Sequence, residues 1–263
     1  MVHPLIWIRN TVRSILRGTL VGNVLRQLLA RPARGTIHLV SATRMNDADF
    51  WQSSALGQSL EKWRESSGLK IHIYSCNSVG LPTLYNRHIQ STPRSDILVF
   101  IHDDVWLDDP NFIGQIRKAL GRYDVAGVAG NIRLKPNQPA WLFKEIVDGK
   151  FVWDTGFLSG SIGDGTSSKK KLDRYGPAPM DCKVLDGVIL AARCANLRRS
   201  GVSFDERYKF HFYDMDFCRA AGNAGLSIGT WPIALTHGSG GVFGSPGWLE
   251  AYQVYLQKWN NVR

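Results

Sequence analysis

Residues 97–107 read ILVFIHDDVWL, and this stretch constrains the rest of the chain more than any other. Five apolar residues in a row, three of them β-branched, stop abruptly at His102, Asp103 and Asp104. A run so short and unbroken fits a strand covered on both faces, which requires a parallel or mixed sheet with helices above and below. Ligands in open α/β sheets bind beyond the carboxyl ends of the strands, so three ionisable groups at that point mark a candidate site. One or two carboxylates acting with phosphate oxygens are enough to hold a divalent cation there.

The neighbouring segments supply the rest of an α/β pattern. Pro32 and Gly35 mark a boundary, after which residues 36–42 read as the first strand. The spacing predicts a helix over residues 47–66, capped by Asn46 or Asp47, with Phe50, Leu56, Leu60 and Trp63 inward and Gly68 at its end. Residues 69–76 form the next strand and complete the beginning of a βαβ unit. A polar turn and a short helix with Pro82 near its first position follow in residues 75–90. Asp109 and Pro110 open a helix that turns Phe112, Ile113, Ile116 and Leu120 inward, and residues 124–129 are a further strand. Residues 158–171, LSGSIGDGTSSKKK, have no period and are rich in Gly and Ser, so they read as a mobile loop, either a lid or a surface excursion. Residues 185–192 are strand-like, and residues 246–259 form a helix whose Trp248, Tyr252, Tyr255, Leu256 and Trp259 lie on one side, expected to pack on the core, with an acceptor-binding aromatic surface as the alternative.

Between these, residues 204–217 (FDERYKFHFYDMDF) are dense in acids and aromatics and lead into the helical stripe Phe217, Cys218, Ala221. Asp214 lies three, four and seven residues before those positions and shares their inward face. Asp216 points the other way at about 100° per residue and is expected to cap or solvate the helix. An inward carboxylate at a helix start beside a cleft is the better catalytic candidate.

The net charge of +10 is concentrated at the N-terminus. The first 46 residues carry Arg9, Arg13, Arg17, Arg26, Arg31, Arg34 and Arg44 with no Lys and no acid, leaving +3 for the remainder. This argues against a surface built for nucleic acid. Residues 3–31 alternate apolar clusters with single arginines, too closely to leave the ~20 apolar residues of a membrane span, and they lack the layout of a secretory signal. Residues 1–34 are therefore expected to form one or two basic amphipathic helices. Such helices either lie on an anionic membrane or pack as a hairpin on the domain or a second subunit. Residues 35–263 form the globular domain. Cys76, Cys182, Cys194 and Cys218 are scattered without metal-site spacing and read as free thiols in a reducing, cytoplasmic compartment.

Several pieces, taken in order, resemble glycosyltransferase family 2 and its bacterial relatives of GT-A fold: NSVGLPTLYN, the strand ending HDD, the LDG segment, FDERYKFHFYDMDF and the late THGSGG. The likeness runs over about residues 36–241. It implies a Rossmann-like mixed sheet flanked by helices and transfer of a sugar from a nucleotide diphosphate sugar, usually with inversion. The acceptor would be a saccharide or a lipid-linked glycan at the cytoplasmic face of the membrane, in cell-surface glycan synthesis. Departure of a nucleoside diphosphate builds negative charge, which Mg²⁺ or Mn²⁺ offsets.

By the same resemblance, Asp104 matches the last acid of the family's Asp-x-Asp motif and carries the metal. Asp103 stands beside it, and His102 replaces the usual first acid. Asp214 matches the acid that takes the acceptor's proton, with Tyr213 in place of a preceding Glu. Asp186 resembles an acid near the acceptor, His237 a histidine that approaches the metal or diphosphate, and Thr43 and Asn77 the contacts to base and ribose. Two other classes remain open. A nucleotidyltransferase should carry a Gly-rich basic loop after the first strand, where SATRMND has one Arg and no Gly. A sugar- or nucleotide-binding protein without turnover draws its support from His102 and Tyr213.

Overall fold

A computed structural model describes residues 31–260, apart from residues 167 and 168 and the side chains of 166–170. The basic amphipathic segment expected over residues 1–34 lies, through residue 30, outside the described residues. At its end Ala33 is buried and donates its N–H to the Arg117 carbonyl at 2.8 Å, so the chain enters the domain against a helix rather than through open solvent.

The buried run is strand β3 (Ile97–Ile101), with every residue inside. On one side it pairs in parallel with β1 (Ile37–Ala42), which pairs in parallel with the edge strand β2 (Leu69–Tyr74). On the other side β12 (Ile189–Arg193) runs antiparallel to it, followed by β5 (Val125–Gly127) and β13 (Ile228–Thr230). The sheet is thus mixed, as the α/β reading requires. A second sheet is ordered β11 (Val184–Leu185), β6 (Ala129–Asn131), β9 (Leu158–Thr166), β14 (Leu235–His237), β4 (Val105–Leu107), with β10 (Lys169–Gly176) paired to β9. A two-stranded hairpin, β7 (Phe143–Val147) and β8 (Lys150–Trp153), stands apart from both.

Four sequence expectations change here. The helix of residues 47–66 is broken into α1 (Asp47–Ser53), α2 (Ala55–Leu60) and a 3-10 turn, Glu61–Trp63. Ser54 is extended and its hydroxyl accepts the Gly57 N–H at 2.9 Å, so a new N-cap interrupts the run. Asn46 caps α1 as expected. The single strand of residues 124–129 is two, β5 and β6, in different sheets, and the strand of residues 185–192 is likewise divided between β11 and β12.

The fourth change concerns residues 158–171, which belong to a β-hairpin rather than a loop. Their glycines serve close approach. A Cβ on Gly163 would stand 2.5 Å from Thr236 Oγ1, and one on Gly160, where φ is +91°, would stand 1.9 Å from the Val128 carbonyl oxygen. Only a residue without a side chain lets β9 lie between β6 and β14 at this distance.

Helices α3 (Leu81–Ser91), α4 (Phe112–Arg122), α5 (Cys194–Ser200), α6 (Tyr213–Asn223) and α7 (Pro246–Asn260) complete the fold. Among the described residues no helix is long and apolar enough to cross a membrane.

Candidate active site

The elements that carry the charged residues end at one place. Thr43 and Asn77 follow β1 and β2, His102, Asp103 and Asp104 follow β3, and Asp186 occupies the gap between β11 and β12. Asp214 lies in the first turn of α6, and His237 closes β14, which pairs with β4 so that His237 faces Val105 in register. All eight line a single cleft of about 860 Å³.

Within the cleft, His102, Asp104 and His237 each bring one ligand atom, and these atoms lie within 4.8 Å of one another. His237 Nε2 stands 3.1 Å from Asp104 Oδ1, near enough for electrostatic pairing, yet it makes no aligned hydrogen bond and is buried. The Ser239 hydroxyl donates to Asp104 Oδ2 at 2.6 Å, and the Gly238 N–H to the Asp104 carbonyl at 2.8 Å. Burial alone would raise the Asp104 carboxyl, but His237 and Ser239 hold it down at about 2. Burial also pushes the His102 imidazole down to about 4, with His237 adding to the effect, so the ring is neutral at pH 7. For His237, burial works in the other direction from the nearby Asp104 carboxylate, and the carboxylate prevails, raising the imidazole above its usual value.

An ionised carboxylate, a neutral imidazole and a buried ring nitrogen without a satisfied partner form a donor set that fits a divalent cation.

The second group is a pair of carboxylates. Asp214 Oδ2 accepts the Gly187 N–H at 3.0 Å and its Oδ1 the Met215 N–H at 2.8 Å, while Asp186 Oδ1 accepts the Val188 N–H at 2.8 Å. Burial raises both carboxyls, and the charge of Asp186 pushes Asp214 further, to about 7. Two acids sharing a buried corner cannot both ionise easily, which leaves one of them poised for proton transfer near neutral pH.

The residues assigned to the base and ribose have other partners in the structure. Thr43 is buried, and its hydroxyl accepts the Met45 N–H at 3.1 Å and lies against the Asp103 carboxyl, which burial raises. Asn77 closes a local turn, with its amide donating to the Val79 carbonyl at 2.7 Å and accepting the Val79 N–H at 3.1 Å. Both line the cleft through the chain segments they shape.

Asp216 is a correction. It does not solvate α6 but is buried, with Oδ1 accepting the Trp259 indole N–H at 2.8 Å and the Lys258 ammonium 2.8 Å away. Helix α7 covers what sequence periodicity had treated as the solvent face.

Sequence reasoning also missed several participants. Tyr213 was noted only as a departure from the family pattern, yet its hydroxyl reaches both His102 Nε2, at 2.9 Å, and the Gly187 carbonyl, at 2.8 Å. Phe210 stacks on His102 with ring centroids 5.6 Å apart while remaining half exposed. Trp141, Phe143, Trp153, Phe243 and Trp248 form an aromatic wall along the same cleft. Of these, sequence periodicity placed only Trp248, on the inward face of the 246–259 helix; the abundance of Trp says nothing about where Trp141 and Trp153 lie, and nothing in the sequence marks Phe143 or Phe243.

The chain matches the model of the Glycosyltransferase like family over residues 44–237, and it belongs to that family. No curated protein matches it. Similar solved structures include GalNAc-T7 with UDP, GalNAc and Mn²⁺ (10% identity, TM-score 0.44, 84% of this chain and 50% of that one). TarS of S. aureus is 14% identical, with a TM-score of 0.39 over 84% of this chain and 39% of its own. The mannosyltransferase PcManGT from Pyrobaculum calidifontis, in complex with GDP-Man and Mn²⁺, is 11% identical with a TM-score of 0.41, over 90% of this chain and 71% of that one. The chain thus spans half the length of the first of these and less of the second, and likeness at this level places no constraint on substrate.

Proposed function

We propose that the cleft transfers a sugar from a nucleotide diphosphate sugar to a hydroxyl of a saccharide or lipid-linked acceptor, with inversion. The observation that carries this reading is the presence, in one cleft, of a His–Asp–His cluster and a separate carboxylate pair of which Asp214 is held near 7. Family membership supports the reaction class.

In this reading the donor lies with its diphosphate toward His102, Asp104 and His237 and its nucleotide toward Thr43, Asn77 and Asp103. A bound Mn²⁺ or Mg²⁺ would supply positive charge against the departing diphosphate. The acceptor hydroxyl is held between Asp186 and Asp214. As its oxygen forms the bond to the anomeric carbon, Asp214 takes the proton, the carbon–oxygen bond to the diphosphate breaks, and that electron pair leaves with the nucleotide. The aromatic wall gives the acceptor an apolar, water-poor surface against which to orient. A basic N-terminal segment resting on an anionic membrane would bring a lipid-linked acceptor within reach.

The test begins with a thermal-shift panel of UDP-, GDP-, CMP- and dTDP-sugars with and without Mn²⁺, because a ligand that binds the folded state raises the melting temperature. The donor so found is then used to follow nucleotide release. Asp214→Asn is expected to lower the rate by roughly 10²–10⁴-fold while the donor's thermal shift persists, since only the proton acceptor is lost. A full rate in Asp214→Asn, or no shift with any donor, contradicts the proposal.

A further inference from the structure

His102 and Tyr213, the two departures from the family pattern, touch each other. The Tyr213 hydroxyl has one hydrogen and makes two aligned hydrogen bonds, to the Gly187 carbonyl at 2.8 Å and to His102 Nε2 at 2.9 Å, with the buried Tyr85 hydroxyl, which can donate to the same oxygen, beside it. A carbonyl oxygen can only accept, whereas a neutral imidazole can offer either a donor or an acceptor at Nε2. Giving the hydroxyl hydrogen to His102 would leave the Gly187 carbonyl without this donor beside a tyrosine that is 2% exposed, which is costly. All three groups are satisfied only when Tyr213 donates to Gly187 and His102 donates from Nε2 to the Tyr213 oxygen. The neutral ring then carries its lone pair on Nδ1.

The surroundings hold Tyr213 in place. Its ring packs edge-on against Tyr85 (centroids 5.9 Å) and lies at a tilt 5.9 Å from Phe204. At Gly187 a Cβ would stand 2.4 Å from the hydroxyl, so a glycine there is what allows the approach. Phe210 stacks on the His102 ring and limits its rotation. The hydroxyl is therefore a fixed reference for the ring.

We propose that Tyr213 is a positioning residue that fixes His102 as the Nε2–H tautomer and so presents Nδ1 as a nitrogen ligand to a divalent cation shared with Asp104 and His237. This rests on the metal-dependent reading above and deepens it. A metal-binding histidine commonly donates its other N–H to a neighbour that orients it, and loss of such a neighbour typically costs about 10- to 100-fold in metal affinity. Here a histidine stands where the family pattern has an acid, and a tyrosine supplies the acceptor that orients the histidine toward the cation.

The experiment has two parts, both on the full chain. Long-range ¹H–¹⁵N correlation spectra, with His102→Gln to assign the ring, read the tautomer in metal-free protein. His102 is expected as Nε2–H in the wild type and as a mixture or as Nδ1–H in Tyr213→Phe. Calorimetric titration with Mn²⁺ alone is expected to show the affinity of Tyr213→Phe reduced by about 10- to 100-fold, and that of Asp104→Ala reduced further. Tyr213→Phe keeps the ring and its packing, and an unchanged melting temperature excludes a general loss of fold as the cause. An Nδ1–H tautomer in the wild type overturns the proposal, as does wild-type Mn²⁺ affinity in Tyr213→Phe when Asp104→Ala has lost it. Failure of the wild type to bind Mn²⁺, with donor nucleotide present or absent, removes the metal-dependent reading itself.

Discussion

At the scale of single residues, Asp214 and Asp216 show how little separates the carboxylate proposed as the base from a structural one. They are two positions apart on α6, and both are raised by burial. Asp216 has Lys258 and the Trp259 indole as partners, whereas Asp214 has two backbone N–H donors, one of them on Gly187 next to Asp186, whose charge it feels. The rate of transfer should follow from this. As the proposed base, Asp214 would accept a proton only when ionised, and its carboxyl is held at about 7, so activity should fall on the acid side of neutrality with an apparent pKa near 7. A pH–rate profile under saturating donor measures it, and a limb displaced to pH 4 or 5 would show that Asp214 is not the group titrating. Helical periodicity singled out Asp214, because one face of α6 meets the cleft. It misjudged Asp216, because the opposite face is covered by a helix that begins thirty residues later.

The same cover is the main lesson at the scale of elements. Helix α7 buries Trp248, Tyr255 and Trp259 and stacks Tyr252 on Phe212, the residue just before Tyr213, with centroids 5.3 Å apart. Its Lys258 reaches Asp205 and Asp216 at 2.8 Å each, clamping both ends of the acidic-aromatic segment. Replacing Lys258 by Met would leave the buried Asp216 carboxylate without its cation, a change that typically costs about 3–5 kcal/mol. Denaturant unfolding should therefore show a loss in that range for Lys258→Met and partial recovery in Lys258→Met with Asp216→Asn. Equal stability of Lys258→Met and wild type would mean the clamp contributes nothing. Elements with a strong period, such as β3 and α4, were legible in the sequence. The β9–β10 hairpin was not, because its glycines answer to Thr236 and to Val128, residues that are distant along the chain.

For the molecule as a whole, the edge of the main sheet carries a second histidine cluster, none of whose histidines lines the cleft. His38 Nδ1 and His72 Nε2 are 3.1 Å apart, the His72 and His88 rings are 4.6 Å apart, and Tyr74 and Asp96 close the ends at 2.8 and 3.2 Å. Burial, followed by the neighbouring imidazoles, lowers His72 and holds His88 at about 4. In the unfolded chain both return to about 6.5. Between those limits the unfolded state binds more protons, so stability is full above pH 6.5 and declines as pH falls toward 4. Melting temperatures measured from pH 7.5 to 4.5 should drop through that window, and His88→Gln should flatten the curve. A wild-type curve that is already flat would remove the cluster from the account.

What the sequence determined by itself was local. The apolar run of β3 demanded a sheet covered on both sides, the order of short motifs gave the family, and the abrupt HDD ending gave the site its position at a strand terminus. These follow from period and composition, which a chain carries before it folds. What tertiary structure decided was which groups meet: Tyr213 with His102 across more than a hundred residues, Asp186 with Asp214 across a glycine, and Lys258 with Asp216. Each pairing depends on the register between strands and on a helix laid over another, and those distances are set by packing rather than by sequence spacing. Hence the strand end, the helical period and the resemblance pointed to His102, Asp104, Asp186 and Asp214 one by one, but that the two carboxylates share one corner and that Tyr213 holds His102 could be recognised only in the folded chain.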